Sequence, residues 1–501
     1  MGVVMPEEAP VNIGALLERP YTVRQRVLGI QTKLHSWAAA DPGRCFDDLF
    51  NLVVDPGFLV MAWTRVRENK GAKTAGIDGA TAWSVENSER GVAGFLTELR
   101  TSLKDRSFRP VPVRTVSIPK ANGKRRRLGI PTLRDRVVQA SLKLVLEPIL
   151  EADFDPSSYG FRPERRCQDA IEEIRFYAAR GYEQVFEGDI AACFDEISHP
   201  ALMDRLRLRV TDRRILLLVK AFLKAGLLDE LNEVRDTTTG TPQGGILSPL
   251  LANLALSVLD EHFRERWRAM GNQTQRWRAT RRGAATYRTV RYADDFVVMV
   301  FGTRQQAEDL YGEIETVLAT VGLRLAPEKT QVVGIDEGFD FLGFRIQRHR
   351  QKGSDRKLIY TYPSKKSMNT IRRKVTTATG RQTTSLPAKD MFRLLGQITR
   401  GWAFYFRHGA SAHAFGLLNH HLWWRVWRWL RKKHPNRKAY WIIRHYYGSG
   451  RWWPEAGGIT LFQPATVTIK RYRYRGARIP NPWLIHAQKT GPTTLAESPV
   501  R

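Results

Sequence analysis

Tyr292-Ala293-Asp294-Asp295 stands between two runs, residues 285–291 and 296–300, whose β-branched and aromatic content reads as two strands closing in a hairpin. Two adjacent carboxylates at a hairpin tip repel each other and gain nothing from burial, so the pair asks for a cation. Turns are also rich in Asp for purely local reasons, and the pair alone leaves that reading open. The fitting cation is Mg²⁺, usually held by one or two carboxylates with waters and substrate phosphates; paired ions activate a 3′-hydroxyl and stabilise a leaving pyrophosphate. A third carboxylate is then expected on a neighbouring strand. Asp189 fits, because it follows the strand-like run 184–188 and opens Asp189-Ile190-Ala191-Ala192-Cys193-Phe194-Asp195. A short loop there leads to a helix with Ser198 as N-cap and Pro200 in its first turn. Three carboxylates on two adjoining strands make a palm.

The chain has 501 residues, 42% of them hydrophobic, enough to bury a core and to divide into three or four domains. Its 80 Lys plus Arg against 50 Asp plus Glu give a net charge of +30, which points to a polyanionic partner, nucleic acid by default. The charge is uneven: residues 391–501 carry 19 basic side chains and two acids, Glu455 and Glu497, and nine of the 14 tryptophans. Arg and Trp interleaved in this way neutralise phosphates and stack on bases, although Trp402, Trp423 and Trp427 suit a core equally well. Cys45, Cys167 and Cys193 are far apart and form no CxxC pair, which argues against a disulfide framework or a cysteine zinc site and suits a reducing cytoplasm. Residues 1–20 lack a signal-peptide pattern and no stretch is apolar enough to span a bilayer, so a soluble, cytoplasmic protein with no membrane partner is expected.

Along the chain, residues 19–60 read as helical, residues 69–79 as a glycine- and lysine-bearing loop, and residues 85–104 as a second amphipathic helix. Residues 118–131 read as a hairpin with apolar flanks, a cationic tip and Asn122-Gly123 as its turn; the charge either protects an edge or lets Lys120 and Arg126 grip a triphosphate. Helices are expected over 134–150, 167–179 and 200–227. In Gly240-Thr241-Pro242-Gln243-Gly244-Gly245, glycines let backbone approach a ligand, and Ser248 is placed to cap the next helix. Residues 266–293 contain no acid and read as a basic insertion. A helix over 305–320 and strands over 324–329 and 339–346 complete an α+β pattern to about residue 350, followed by mostly helical sequence from 364 to 432; the fold from 451 onward stays open.

Taken in order, the loop at 70–79, the hairpin at 118–131, Tyr159 to Pro163, Asp189 to Asp195, Gly240 to Pro249, Tyr292 to Asp295, Glu328-Lys329-Thr330 and Phe341-Leu342-Gly343 resemble the group II intron reverse transcriptases, or intron-encoded maturases. Residues 400–407 with 422–435 look like the maturase-specific thumb, domain X, and residues 440–483 are similar to the family's small DNA-binding domain. The resemblance implies a right-hand polymerase divided as an N-terminal extension and first fingers loop (1–80), a fingers-palm reverse transcriptase domain (81–355), a thumb or maturase domain (356–436) and a basic DNA-binding domain (437–501). A zinc-bound HNH nuclease needs clustered Cys and His; none is seen in the sequence, and His420-His421, adjacent on a helix, cannot face one metal together.

By the same resemblance, Asp189, Asp294 and Asp295, with the Ile190 carbonyl, hold two Mg²⁺ ions. Lys120, Arg126, Phe194, Gln243, Gly244 and Lys329 contact the incoming dNTP, Phe194 as a gate against the sugar 2′-hydroxyl. Tyr292, Ala293, Phe341, Leu342 and Gly343 contact the primer and template, and Arg407, Arg425, Arg428, Arg431, Lys432, Lys433, Arg471 and Arg473 bind RNA or DNA. The implied partners are group II intron RNA, target DNA, and an RNA template with its DNA primer. The implied activity is copying intron RNA into cDNA during retrohoming, with assistance to splicing. Two alternatives remain: a reverse transcriptase unlinked to splicing, of host-defence, CRISPR-associated or diversity-generating type, and an RNA-binding splicing factor with a dead polymerase.

Overall fold

The computed structural model describes residues 12–119, 125–228, 234–235, 239–241, 244–351, 353–448 and 452–490. Lys120, the Asn122-Gly123 turn and Gln243 lie outside these residues, as does the side chain of Arg126.

Prolines and glycines set the N-terminal boundaries. The expected helix over 19–60 is interrupted: α1 (Pro20–Ala40) stops before Pro42-Gly43, and α2 (Pro56–Glu68) begins at a proline in its first turn. Asp55 caps α2 by accepting from the backbone N–H groups of Gly57 and Phe58, and its carboxylate also receives the Arg26 fork at 2.7 Å. The expected helix over 85–104 likewise divides, because Gly91, at φ +57°, opens a separate helix α3 (Gly91–Lys104). The strands flanking residues 120–124 pair, β1 (Val113–Pro119) antiparallel to β2 (Arg125–Ile130). Helix α4 (Leu133–Glu151) is buried along nearly its whole length and packs on α1 and α2.

The palm sheet assembles from four strands in the order β4-β5-β3-β6, where β3 is Gln184–Asp189, β4 Thr286–Tyr292, β5 Asp295–Phe301 and β6 Gln331–Gly334. All neighbours are antiparallel. Alternation along the strands divides the sheet between two cores. Phe186, Phe296, Val298 and Val300 join the core that holds α4 and α8 (Ser248–Ala269). Val185, Val290, Val297 and Met299 join the one that holds α5 (Cys167–Ala178) and the base of the thumb. The expected helix over 200–227 divides into α6 (His199–Arg207), which Ser198 caps, and α7 (Arg213–Leu223), which Asp212 caps. Ser248 is not an N-cap: it is the first residue of α8, and the cap position falls to Leu247, which has no side-chain cap bond. The insertion forms α9 (Gln273–Arg281), and α10 (Leu310–Ala319) lies against α8.

Residues 324–329 are not a strand. Pro327 turns the chain into a 3₁₀ turn, Pro327–Lys329, and pairing resumes only at β6. The expected strand over 339–346 is a hairpin, β7 (Phe339–Phe341) and β8 (Phe344–Arg350), with Leu342 and Gly343 at positive φ between them; β9 (Lys357–Pro363) pairs on the other side of β8.

The thumb comprises α11 (Lys365–Ala378), α12 (Ala388–Phe406), α13 (Ala412–Lys433) and α14 (Ala439–Tyr446) around a core with Trp429 wholly buried. The tail runs back over the molecule. The Lys470 N–H donates to the Arg407 carbonyl, Arg475 forks onto Asp169, Asn481 bonds His35 at 2.7 Å, and α15 (Pro482–Thr490) packs on α1. Among the described residues, no helix is long and apolar enough to cross a membrane.

Candidate active site

Register brings the three carboxylates together. Asp189 ends β3 directly opposite Asp295, and Asp295 pairs with Tyr292 across the β4-β5 hairpin, leaving Ala293-Asp294 as the two-residue tip. Ala293 adopts φ +57°, the left-handed conformation that a tight hairpin turn demands. Burial in the cleft wall, reinforced by the charges of Asp294 and Asp189, pushes the Asp295 carboxyl up to about 6, and Lys329 and Lys366 pull it back. The residue is nevertheless exposed to solvent, so the carboxylate is crowded without being sealed in a core.

Asp189 is stitched to the next loop. Its carbonyl accepts from the Ala326 N–H at 2.8 Å, Ile190 bridges Leu325, and the Lys329 ammonium pairs with its carboxylate, which raises the lysine's pKa. Among the described residues, no three His, Cys, Asp or Glu side chains close into a metal cage. Mg²⁺ needs none, since it relies on one or two carboxylates plus waters and phosphates. An all-oxygen set of three carboxylates, one of them with its proton affinity raised by burial and by the other two, fits such a hard cation.

The loops around this wall are set by close backbone approach. Gly240 meets the carbonyls of Phe194 and Asp195, where a Cβ would lie 2.6 Å away, and Thr241 donates to the Phe194 carbonyl. Gly244, at φ +117°, would place a Cβ 2.4 Å from the Gly129 carbonyl, so the loop that precedes α8 lies directly on the cationic hairpin. Phe194 is 8% exposed and packs in the core beneath Asp189; Ile190 is buried there too.

Phe341 is buried. The Leu342-Gly343 turn is braced from the thumb: Tyr405 donates its hydroxyl to the Leu342 carbonyl at 2.8 Å, and the Ser364 N–H and Ser367 hydroxyl donate to the Gly343 carbonyl at 2.9 Å. Tyr292 lies against the same core, and burial raises its phenol.

Several supports of the carboxylate tip went unread in the sequence. Arg291 is 0% exposed; its guanidinium donates to Asp260, to Asn253 Oδ1 at 3.0 Å and to the Ala293 carbonyl at 3.0 Å. Asn253 in turn donates to the Gly160 carbonyl, and Gly160 sits so close to the tip that a Cβ there would lie 2.2 Å from the Ala293 nitrogen. Backbone bonds from Tyr159 to the Arg291 carbonyl and from Arg291 to the Ser157 carbonyl add a short parallel bridge. The available signals were an arginine inside an otherwise strand-like run and an Asn and Asp seven apart on one face of α8.

The basic residues assigned to nucleic acid divide into two sets. Arg425 donates to Thr379 Oγ1 at 2.9 Å and to the Thr376 and Thr379 carbonyls, capping α11, and Lys433 donates to the Thr384 and Leu386 carbonyls. Arg407 stacks on Phe404. Arg428, Arg431, Lys432, Arg471 and Arg473 face solvent.

The sequence matches the reverse transcriptase (RNA-dependent DNA polymerase) family over residues 118–346 and the group II intron maturase-specific domain over residues 368–447. It is 37% identical to protein YkfC of Escherichia coli K12 over 68% of this chain and 93% of that one. It is 32% identical to the group II intron-encoded protein LtrA of Lactococcus lactis subsp. cremoris over 61% of this chain and 57% of LtrA, so it spans little more than half of that relative. Telomerase from Candida albicans is a loose structural neighbour, 14% identical with a TM-score of 0.37, covering 71% of this chain and 70% of that one.

Proposed function

The chain belongs to the group II intron reverse transcriptases, RNA-directed DNA polymerases that carry a maturase domain, and from that premise we propose that it binds its own folded intron RNA, assists splicing and copies the RNA from a DNA primer into cDNA at a DNA target. The observation that carries the polymerase reading is the register that sets Asp189 opposite Asp295 with Asp294 at the tip.

Two Mg²⁺ ions held by Asp189, Asp294, Asp295 and the Ile190 carbonyl would supply activation of the primer 3′-hydroxyl and neutralisation of the departing pyrophosphate. The protein's own part is placement. Gly244, with no side chain, leaves room for the nucleotide, and Gln243 reads the nascent pair. Lys329, exposed and already beside Asp189, is positioned to give charge or a proton to the pyrophosphate, while Lys120 and Arg126 hold the triphosphate. Phe194 restricts the space at the sugar. Tyr292 and Ala293 support the primer end, and the braced turn of Phe341, Leu342 and Gly343 grips it. Arg428, Arg431, Lys432, Arg471 and Arg473 supply the charge for RNA and DNA, with Arg407 presented on Phe404. Work in the cytoplasm on a nucleic-acid substrate suits this assembly, divided as residues 1–80, 81–355, 356–436 and 437–501.

Asp294→Asn with Asp295→Asn is expected to lower primer extension on an RNA template by at least about 10³-fold while binding of intron RNA and support of splicing persist. Extension at the wild-type rate would defeat the metal assignment.

A further inference from the structure

Helix α9 and its flanks form a surface charged with one sign only. Residues 266–293 contain eight arginines and no acid. Helix α9 itself buries none of its residues. Such a helix has no apolar face to hold it on the protein, and nine residues are too few for stability in water alone. Two local devices support it: the Asn272/Gln275 capping box, and guanidinium stacking, with Arg276 and Arg288 at 4.2 and 3.2 Å from the Trp267 ring and Arg281 at 4.7 Å from Trp277. Trp277 stays 56% exposed. The nearby Glu313 is already taken by Arg266 and His262. Arg268, Arg278, Arg281 and Arg282 project to solvent, and among the described residues no acid pairs with them.

This surface is not part of the catalytic cleft. It leads into β4 at Thr286, opposite Phe301 at the base of the palm sheet, six residues from Tyr292 at the carboxylate end, about 20 Å away along the strand. At that separation α9 contributes no side chain to the carboxylate site. We propose that α9 is a second docking surface, for the phosphate backbone of a double-stranded segment of structured RNA, held while a separate strand is copied in the cleft. The assignment to RNA rests on the RNA-handling function given above and on charge complementarity. Guanidiniums are the side chains best matched to phosphate, and the exposed Trp277 offers a ring to the sugar edge of a shallow A-form minor groove.

The test uses the full chain with its cleft saturated by a short RNA template annealed to a DNA primer, and measures binding of a labelled 20-base-pair RNA duplex as salt is varied. The wild type is expected to take the duplex and the template-primer together. R278Q/R281Q/R282Q is expected to bind the duplex roughly 10-fold or more weakly, with the salt slope flattened by about 2 to 3, and to keep wild-type kcat/KM for extending the short primer. Wild-type duplex affinity and slope in this variant would overturn the proposal, as would loss of binding to polyglutamate with duplex binding intact, which would mark a surface for an acidic protein. Failure of the wild type to extend any primer would instead defeat the polymerase reading and leave the duplex measurement to stand by itself.

Discussion

In the palm, the arginine beside the carboxylate tip is wholly enclosed and commits its guanidinium to Asp260, Asn253 and the Ala293 carbonyl; along α13, Arg428 and Arg431 face solvent in a stretch, residues 391–454, that contains no acid. The same side chain serves as an internal strut in one place and as a free cation in the other. What separates the two is whether an acid lies within reach and whether water does. A buried charge must be paired and fully bonded, because the cost of leaving it bare exceeds any local preference. Within α13 the division recurs one turn apart, since Arg425 faces inward and caps α11 while Arg428 does not.

Substitution separates the two roles. Arg291→Met leaves Asp260 without its partner in a fully buried site, and a loss of about 3–5 kcal/mol in unfolding free energy is expected by denaturant titration. Arg291→Met with Asp260→Leu should recover much of that loss, because an apolar pair of similar volume carries no desolvation cost. A single-variant loss below about 1 kcal/mol would erase the contrast with the thumb.

Glu173 sharpens it differently, since this palm acid is held by the hydroxyls of Tyr159 and Tyr177 rather than by a bound arginine. Burial pushes its carboxyl up to about 7. The folded state therefore binds the proton more tightly than the unfolded chain, so this contribution is full below about pH 4.5 and is lost as pH rises to about 7. Glu173→Gln should remove that slope. Its stability relative to wild type should improve between pH 5 and 8 by on the order of 2 kcal/mol, read as the difference between two melting series. Parallel series would show that Glu173 does not titrate in this window.

The smaller effects lie in the thumb. Arg425→Gln should cost about 1–2 kcal/mol by uncapping α11 and change the salt dependence of RNA binding little. Arg428→Gln with Arg431→Gln should leave stability within about 0.5 kcal/mol and flatten the salt slope by about 1 to 2. If both variants behaved alike, the division of α13 into inward and outward cations would fail.

The hairpin around Asp294-Asp295 and the strand ending at Asp189 were legible because strand alternation and a charged tip are local patterns, and the β3-β5 register then had only to obey the alternation that hides Phe186 and Phe296 in one core and Val185 and Val297 in the other. Helix breaks were less legible: the division of residues 200–227 depends on Asp212, which caps α7 and also accepts from the backbone of Leu49 and Phe50. Residues 324–329 looked like a strand by composition, but Pro327 and the bonds to Asp189 and Ala191 made them a bracket for the site instead.

The sequence by itself determined the chemistry at the palm, the excess of positive charge and the order of the elements, because each is written in residue types and short periods. Only the tertiary structure decided which arginines are struts, which loops meet backbone to backbone at Gly160, Gly240 and Gly244, and where the tail docks. Those outcomes depend on contacts between residues tens to hundreds of positions apart, and the free energy of a buried charge or a close backbone approach is fixed by the partner rather than by the residue's neighbours in the chain.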